Sequence, residues 1–136
     1  MRSAFSDFME NMKIMVVDDD PKLSGLVRVI LERVGKYEVR EENRSFAAVA
    51  TAREFRPQLV ILDIDMPGKD GGEVARELRE DPSFQKLPVI FLSSMVTPQD
   101  SGERGGRHFL SKPVIPAALL KTVRAILSEG AVQRAA

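Results

Sequence analysis

Residues 59–71 read LVILDIDMPGKDG. Leu59–Leu62 is an unbroken apolar run that stops at Asp63. Such a run suits a strand covered on both faces, where neither side of the pleat meets water. Two more runs have the same form. Ile14–Val17 stops at Asp18-Asp19-Asp20, and Val89–Leu92 stops at Ser93-Ser94. Tyr37–Arg40 and Arg107–Leu110 are less apolar and read as edge strands. Helical spacing lies between them. Pro21–Val34 carries Leu23, Leu26, Val27, Ile30, Leu31 and Val34 on one side. Asp20-Pro21 is a start signal and Gly35 a stop. Phe46–Phe55 and Gly72–Arg79 each end before a proline, and Pro116–Leu127 is the last helix. This alternation predicts a parallel α/β sheet with helices on both faces.

One segment breaks the alternation. Thr97–Gly106, TPQDSGERGG, has no large apolar residue, so a helix there would have no face to dock. It is expected to be a loop or a short turn. Residues 1–11 and 130–136 are expected to be flexible extensions around a single domain at 12–129.

The 136 residues fit one domain of ordinary size. Lys plus Arg (20) equals Asp plus Glu (20), which argues against a nucleic-acid surface. There is no Cys, in keeping with a reducing compartment. The N-terminal residues are too polar for a secretory signal, and no run approaches membrane-spanning length. A soluble, cytoplasmic protein is expected.

In open α/β sheets, sites form beyond the carboxyl ends of the strands. Here those ends carry Asp18 and Asp19, Asp63 and Asp65, Ser93 and Ser94, and Lys112. Gathered carboxylates repel unless a cation joins them. Oxygen ligands without Cys or a His cluster favour Mg²⁺ or Mn²⁺. Mg²⁺ commonly pairs one or two carboxylates with a phosphate, so this site calls for a phosphoryl group. Lys112 would neutralise one phosphoryl oxygen and Ser93 would donate to another. A carboxylate can take that group covalently. Asp20 reads better as a helix cap than as a ligand, and Asp65 also suits the start of the turn before Pro67.

MVVDDDP, LVILDIDMPGKDG, LPVIFLSS and FLSKPV, in this order, resemble the receiver domain of two-component response regulators over about Met12 to Glu129. The resemblance implies a doubly wound, five-stranded parallel sheet of flavodoxin-like order 2-1-3-4-5. It implies Asp63 as the phosphoacceptor and Asp19 as a direct Mg²⁺ ligand, with Asp18 acting through water. The backbone carbonyl of Asp65 would complete the metal site. Ser93 would be the switch hydroxyl, and the backbone N–H of Ser94 would also face the phosphoryl group. Lys112 would be the counter-charge, preceding a cis bond to Pro113, and Phe109 the aromatic switch position. The donor would be a histidine kinase or a phosphotransfer protein. The target would be an unspecified protein, with the chain a monomer or weak dimer and no nucleic acid or membrane bound.

The interval from Ser93 to Lys112 is a few residues shorter than such receivers usually have. The loss falls where their fourth helix sits, so that helix is expected to be short or absent. Output is then expected through another face, such as the first helix or an ordering of Thr97–Gly106. Two other functions fit parts of the pattern. One is a receiver-like interaction module that does not use phosphorylation. The other is a haloacid-dehalogenase-like phosphatase built on Asp63-Ile64-Asp65, although Pro67 stands where that family has Thr or Val.

Overall fold

The computed structural model describes residues 12–97, 99, 101–104 and 107–135; the expected extension at 1–11 lies outside them. The elements are β1 (Lys13–Val17), α1 (Pro21–Arg33), β2 (Glu38–Glu42), α2 (Ala48–Phe55), β3 (Leu59–Asp63), α3 (Gly71–Glu80), β4 (Val89–Ser93), β5 (Gly102–Arg104), β6 (Arg107–Ser111) and α4 (Pro116–Ala135). The sheet order is β2-β1-β3-β4-β6-β5. The first five of these strands are mutually parallel, in the order expected from the sequence.

β3 and β4 are buried along their whole length, as their continuous apolar runs require. Alternate side chains feed two separate cores. Ile14, Val16, Leu59, Ile61, Ile90 and Leu92 face a layer built with Val27, Leu31, Leu119 and Val123 of α1 and α4. Met15, Val17, Val60, Leu62, Val89 and Phe91 face the opposite layer, with Ala52, Val74 and Leu78 of α2 and α3. α1 follows β1 on one face, whereas α2 and α3 lie on the other. The chain therefore reverses its winding beside β1 and β3, where open α/β sheets leave a crevice.

The helix starts follow local chemistry. Asp20 caps α1 by accepting from the backbone N–H of Lys22 at 3.0 Å, and Pro21 opens the first turn. Asp70 caps α3 by accepting from the N–H of Glu73 at 2.9 Å. A 3₁₀ turn at Ser45–Ala47 precedes α2, so the regular helix begins two residues later than its apolar pattern suggested.

Two expectations need correction. Part of Thr97–Gly106 is not loop: Gly102–Arg104 forms β5, antiparallel to β6, with Gly102 opposite Phe109 and Arg104 opposite Arg107. The absence of apolar side chains rules out a docked helix but not a short edge strand, which needs only backbone partners and tolerates charged side chains. Gly102 has φ +123°, a conformation that L side chains rarely adopt. Among the described residues no α-helix lies between Ser93 and Arg107, in line with the short interval there. The second correction concerns the C-terminus. α4 continues to Ala135, through most of the residues expected to form a tail.

Candidate functional site

Parallel pairing brings the strand ends into line. Val17 is opposite Leu62, Asp63 opposite Leu92, and Ser93 opposite Ser111. The next residues along β1 and β6 are therefore Asp18 and Lys112, flanking Asp63 on the same edge. Asp18, Asp19 and Asp63 each offer a carboxylate oxygen, and these lie within 4.8 Å of one another. Asp18 is 1% exposed and Asp63 3%, whereas Asp19 faces solvent. Lys112 Nζ donates to Asp63 Oδ1 at 2.7 Å, and the Asp65 backbone N–H donates to the same oxygen at 2.9 Å.

One carboxylate oxygen of Asp18 accepts the Asp20 N–H at 2.9 Å. The other, Oδ2, is buried without a hydrogen-bond partner. Burial pushes the Asp18 carboxyl up to about 7; the Asp63 carboxylate adds to the rise, while the Asp20 N–H and Lys112 oppose it. Burial works against the charge of Lys112, but its bond to Asp63 and the nearby carboxylates hold its pKa above the ordinary lysine value. Three close carboxylates, one carrying an unpartnered buried oxygen and, among the described residues, only one directly paired with a cation, form a donor set that fits a hard divalent ion.

The remaining residues singled out in the sequence occupy the rim. Ser93 is 3% exposed, and its hydroxyl accepts the Met95 N–H at 3.0 Å in a local turn. Ser94 donates its backbone N–H at 3.3 Å and its hydroxyl at 3.2 Å to the Asp65 carboxylate. In this state the Ser94 N–H thus meets the Asp65 side chain. Phe109 stacks on Phe91, with centroids 5.3 Å apart and planes at 26°, on the α2–α3 side of the sheet. The Lys112–Pro113 bond is cis, as the resemblance implied.

Two residues near the acids escaped the sequence reading. Gly71 begins α3 directly behind Asp63. A Cβ on it would lie 2.5 Å from the Asp63 carbonyl oxygen and 2.9 Å from Ile64 Cα. Both neighbours are backbone, so neither can swing aside. The glycine is required by close approach rather than by dihedral angle, so nothing in the local sequence reveals it. Gly71→Ala is expected to cost about 1–3 kcal/mol, as overpacking does; an unchanged urea midpoint would show that α3 retreats freely. The second residue is Asn43, just after β2, whose side-chain amide donates to the Asp18 carbonyl oxygen at 2.7 Å.

Residues 14–124 match the family model of the response regulator receiver domain. The chain belongs to that family. It is 36% identical over 119 residues to the protein PilH of Pseudomonas aeruginosa, covering 85% of this chain and 98% of PilH. It is 34% identical to the DNA-binding dual master transcriptional regulator RpaA of Synechocystis, but there spans only 48% of the relative's length. Among solved structures it resembles the Vibrio cholerae chemotaxis protein CheY4 at TM-score 0.75 and 28% identity, covering 85% of this chain and 98% of CheY4. A putative response regulator from Chloroflexus aurantiacus gives TM-score 0.76 at 27% identity, with 87% and 98% coverage. The receiver family places this chain in phosphorelay signalling. No helix among the described residues is long and apolar enough to cross a membrane.

Proposed function

We propose that Asp63 accepts a phosphoryl group from a histidine kinase or phosphotransfer protein, and that residues 12–129 act as the switch which that group controls. The observation that carries this reading is the cluster of Asp18, Asp19 and Asp63 closed on one side by Lys112, 2.7 Å from Asp63. An Asp63 carboxylate oxygen attacks phosphorus, and the bond from phosphorus to the donor imidazole breaks. The imidazole leaves with the bonding electron pair, and the product is an acylphosphate.

Asp19 and Asp63 would hold Mg²⁺ or Mn²⁺ directly, with Asp18 acting through a water and Asp65 through its backbone carbonyl. The ion, when bound, supplies positive charge for the oxygens of the transferring phosphoryl group. Lys112 neutralises one of those oxygens. Ser93 supplies a hydroxyl donor, its O–H left free because in the turn to Met95 its oxygen only accepts. The Ser94 N–H becomes available to the phosphoryl group once Asp65 releases it. Phe109, stacked on Phe91 in the strand beside Ser93, is positioned to register movement of β4. The protein works as a phosphoacceptor whose only chemistry is on itself, and its catalytic power comes from placement and charge.

The test is incubation with acetyl phosphate and Mg²⁺ followed by intact mass measurement. A single phosphoryl adduct that requires Mg²⁺ is the expected result. No adduct under any condition would overturn the reading and leave an interaction module that works without phosphorylation.

A further inference from the structure

The geometry points to Asn43 as a positioning residue that sets the Asp18–Asp19 pair for cation binding. This rests on the phosphoacceptor reading above and adds to it a residue that touches neither phosphoryl group nor metal. Both backbone polar groups of Asp18 are held by the end of β2. Its N–H donates to the Glu42 carbonyl at 3.1 Å, and its carbonyl accepts from Asn43 Nδ2 at 2.7 Å. That carbonyl belongs to the peptide joining Asp18 to Asp19. Rotation of this peptide would move both carboxylates at once, and Asn43 opposes the rotation.

The Asn43 amide is itself held. Its Nδ2 also donates to Ser24 Oγ at 2.9 Å, and Ser24 donates to Glu41 Oε1 at 2.6 Å. Ser24, on α1, is fully buried. The other Glu41 oxygen takes Arg28 at 3.4 Å. A chain of donors thus runs from the α1 surface to the peptide between the two acids. Without a cation, three carboxylates within 4.8 Å repel, and the loop carrying two of them gains by swinging outward. A scaffold that keeps the loop in place lowers the ordering cost of binding, as outer-shell partners of metal ligands do.

The bland reading is that Asn43 only ties β2 to α1 and affects stability alone. Thr51 provides the control. Its hydroxyl donates to Glu42 Oε1 at 2.6 Å, at the end of the same strand but toward α2. Mg²⁺ affinity is read by calorimetric titration of the full chain, well below the melting temperature of each variant. Asn43→Ala is expected to weaken Mg²⁺ binding by roughly tenfold or more, the range seen when outer-shell partners are lost. Ser24→Ala should weaken it less, and Thr51→Val should lower the melting temperature while leaving Mg²⁺ affinity unchanged. The deficit of Asn43→Ala in acetyl phosphate labelling should shrink as Mg²⁺ is raised. Unchanged affinity in both Asn43→Ala and Ser24→Ala, or an equal loss in Thr51→Val, overturns the assignment. Failure of the phosphoacceptor reading looks different: the wild-type chain then acquires no adduct, whatever the affinities of the variants.

Discussion

Asp63→Asn protein treated with acetyl phosphate and Mg²⁺ is expected to keep its unmodified mass under conditions that phosphorylate the wild type. An amide has no carboxylate oxygen to attack phosphorus, and none of the neighbouring acids is placed to substitute. Asp18 is buried with one oxygen committed to the Asp20 N–H, and Asp19 faces solvent. Lys112→Ala separates nucleophile from counter-charge. It keeps Asp63 but removes the ammonium 2.7 Å away, the only cationic side chain hydrogen-bonded to it among the described residues. Loss of one preorganised donor at a site of developing charge commonly costs about 10²–10³ in rate, and labelling of Lys112→Ala should fall on that order. An adduct on Asp63→Asn at the wild-type rate would move the phosphoacceptor elsewhere. Wild-type labelling of Lys112→Ala would mean that charge neutralisation at this site does not depend on the lysine.

The second large effect is on stability. The carboxyl of Asp18 is raised from 3.8 to about 7, chiefly by burial and then by Asp63. Between these two values the folded chain holds a proton that the unfolded chain has released. Stability from this group is therefore fully present below about pH 4 and is lost as pH rises toward 7. Above pH 7 the wild type carries a buried charge at a net cost. Asp18→Asn removes both the titration and the repulsion. In the presence of a chelator at pH 8 it should be more stable than wild type, by something on the order of 2 kcal/mol. Its stability should also lack the decline that the wild type shows between pH 4 and 7. Added Mg²⁺ should raise the melting temperature of the wild type more than that of the variant, because the variant keeps Asp19 and Asp63 but lacks the buried third carboxylate whose charge the ion also relieves. Parallel pH profiles for the two proteins would show that Asp18 titrates normally.

Much of this was legible in the sequence because strands buried on both faces leave continuous apolar runs with abrupt polar ends. Leu59–Leu62 followed by Asp63 announces both a central strand and a site residue. β2 was harder. EVREE at 38–42 has little apolar character, and the roles of its acids depend on side chains in other elements and loops: Glu41 on Ser24 and Arg28 of α1, Glu42 on Thr51 of α2 and on Arg44 just beyond the strand. Asn43 was missed for the same reason, since nothing near it in sequence points to Asp18. The sequence signal for β5 is faint. Gly105-Gly106 between Glu103-Arg104 and Arg107-His108 is a two-residue hairpin sequence, but strand signals are weak where neither side contributes apolar residues. The extra turns of α4 past Leu127 had no apolar stripe to reveal them; a helix already nucleated can continue without one.

The two-sided burial of β1, β3 and β4 has a consequence for how the sheet finds its alignment. In a sheet with one wet face, sliding a strand by one residue exposes its apolar side chains, and water enforces the register. Here both layers are apolar, so a slip merely exchanges one buried set for another. The penalty falls instead at the strand ends. Sliding β3 along its neighbours would draw Asp63 in among apolar side chains, where an unpaired carboxylate is costly, or would separate it from Lys112. The acids that serve the chemistry thus also act as end-stops for strand pairing. Replacing them with apolar residues would remove a marker by which the central strands distinguish the correct alignment from its neighbours.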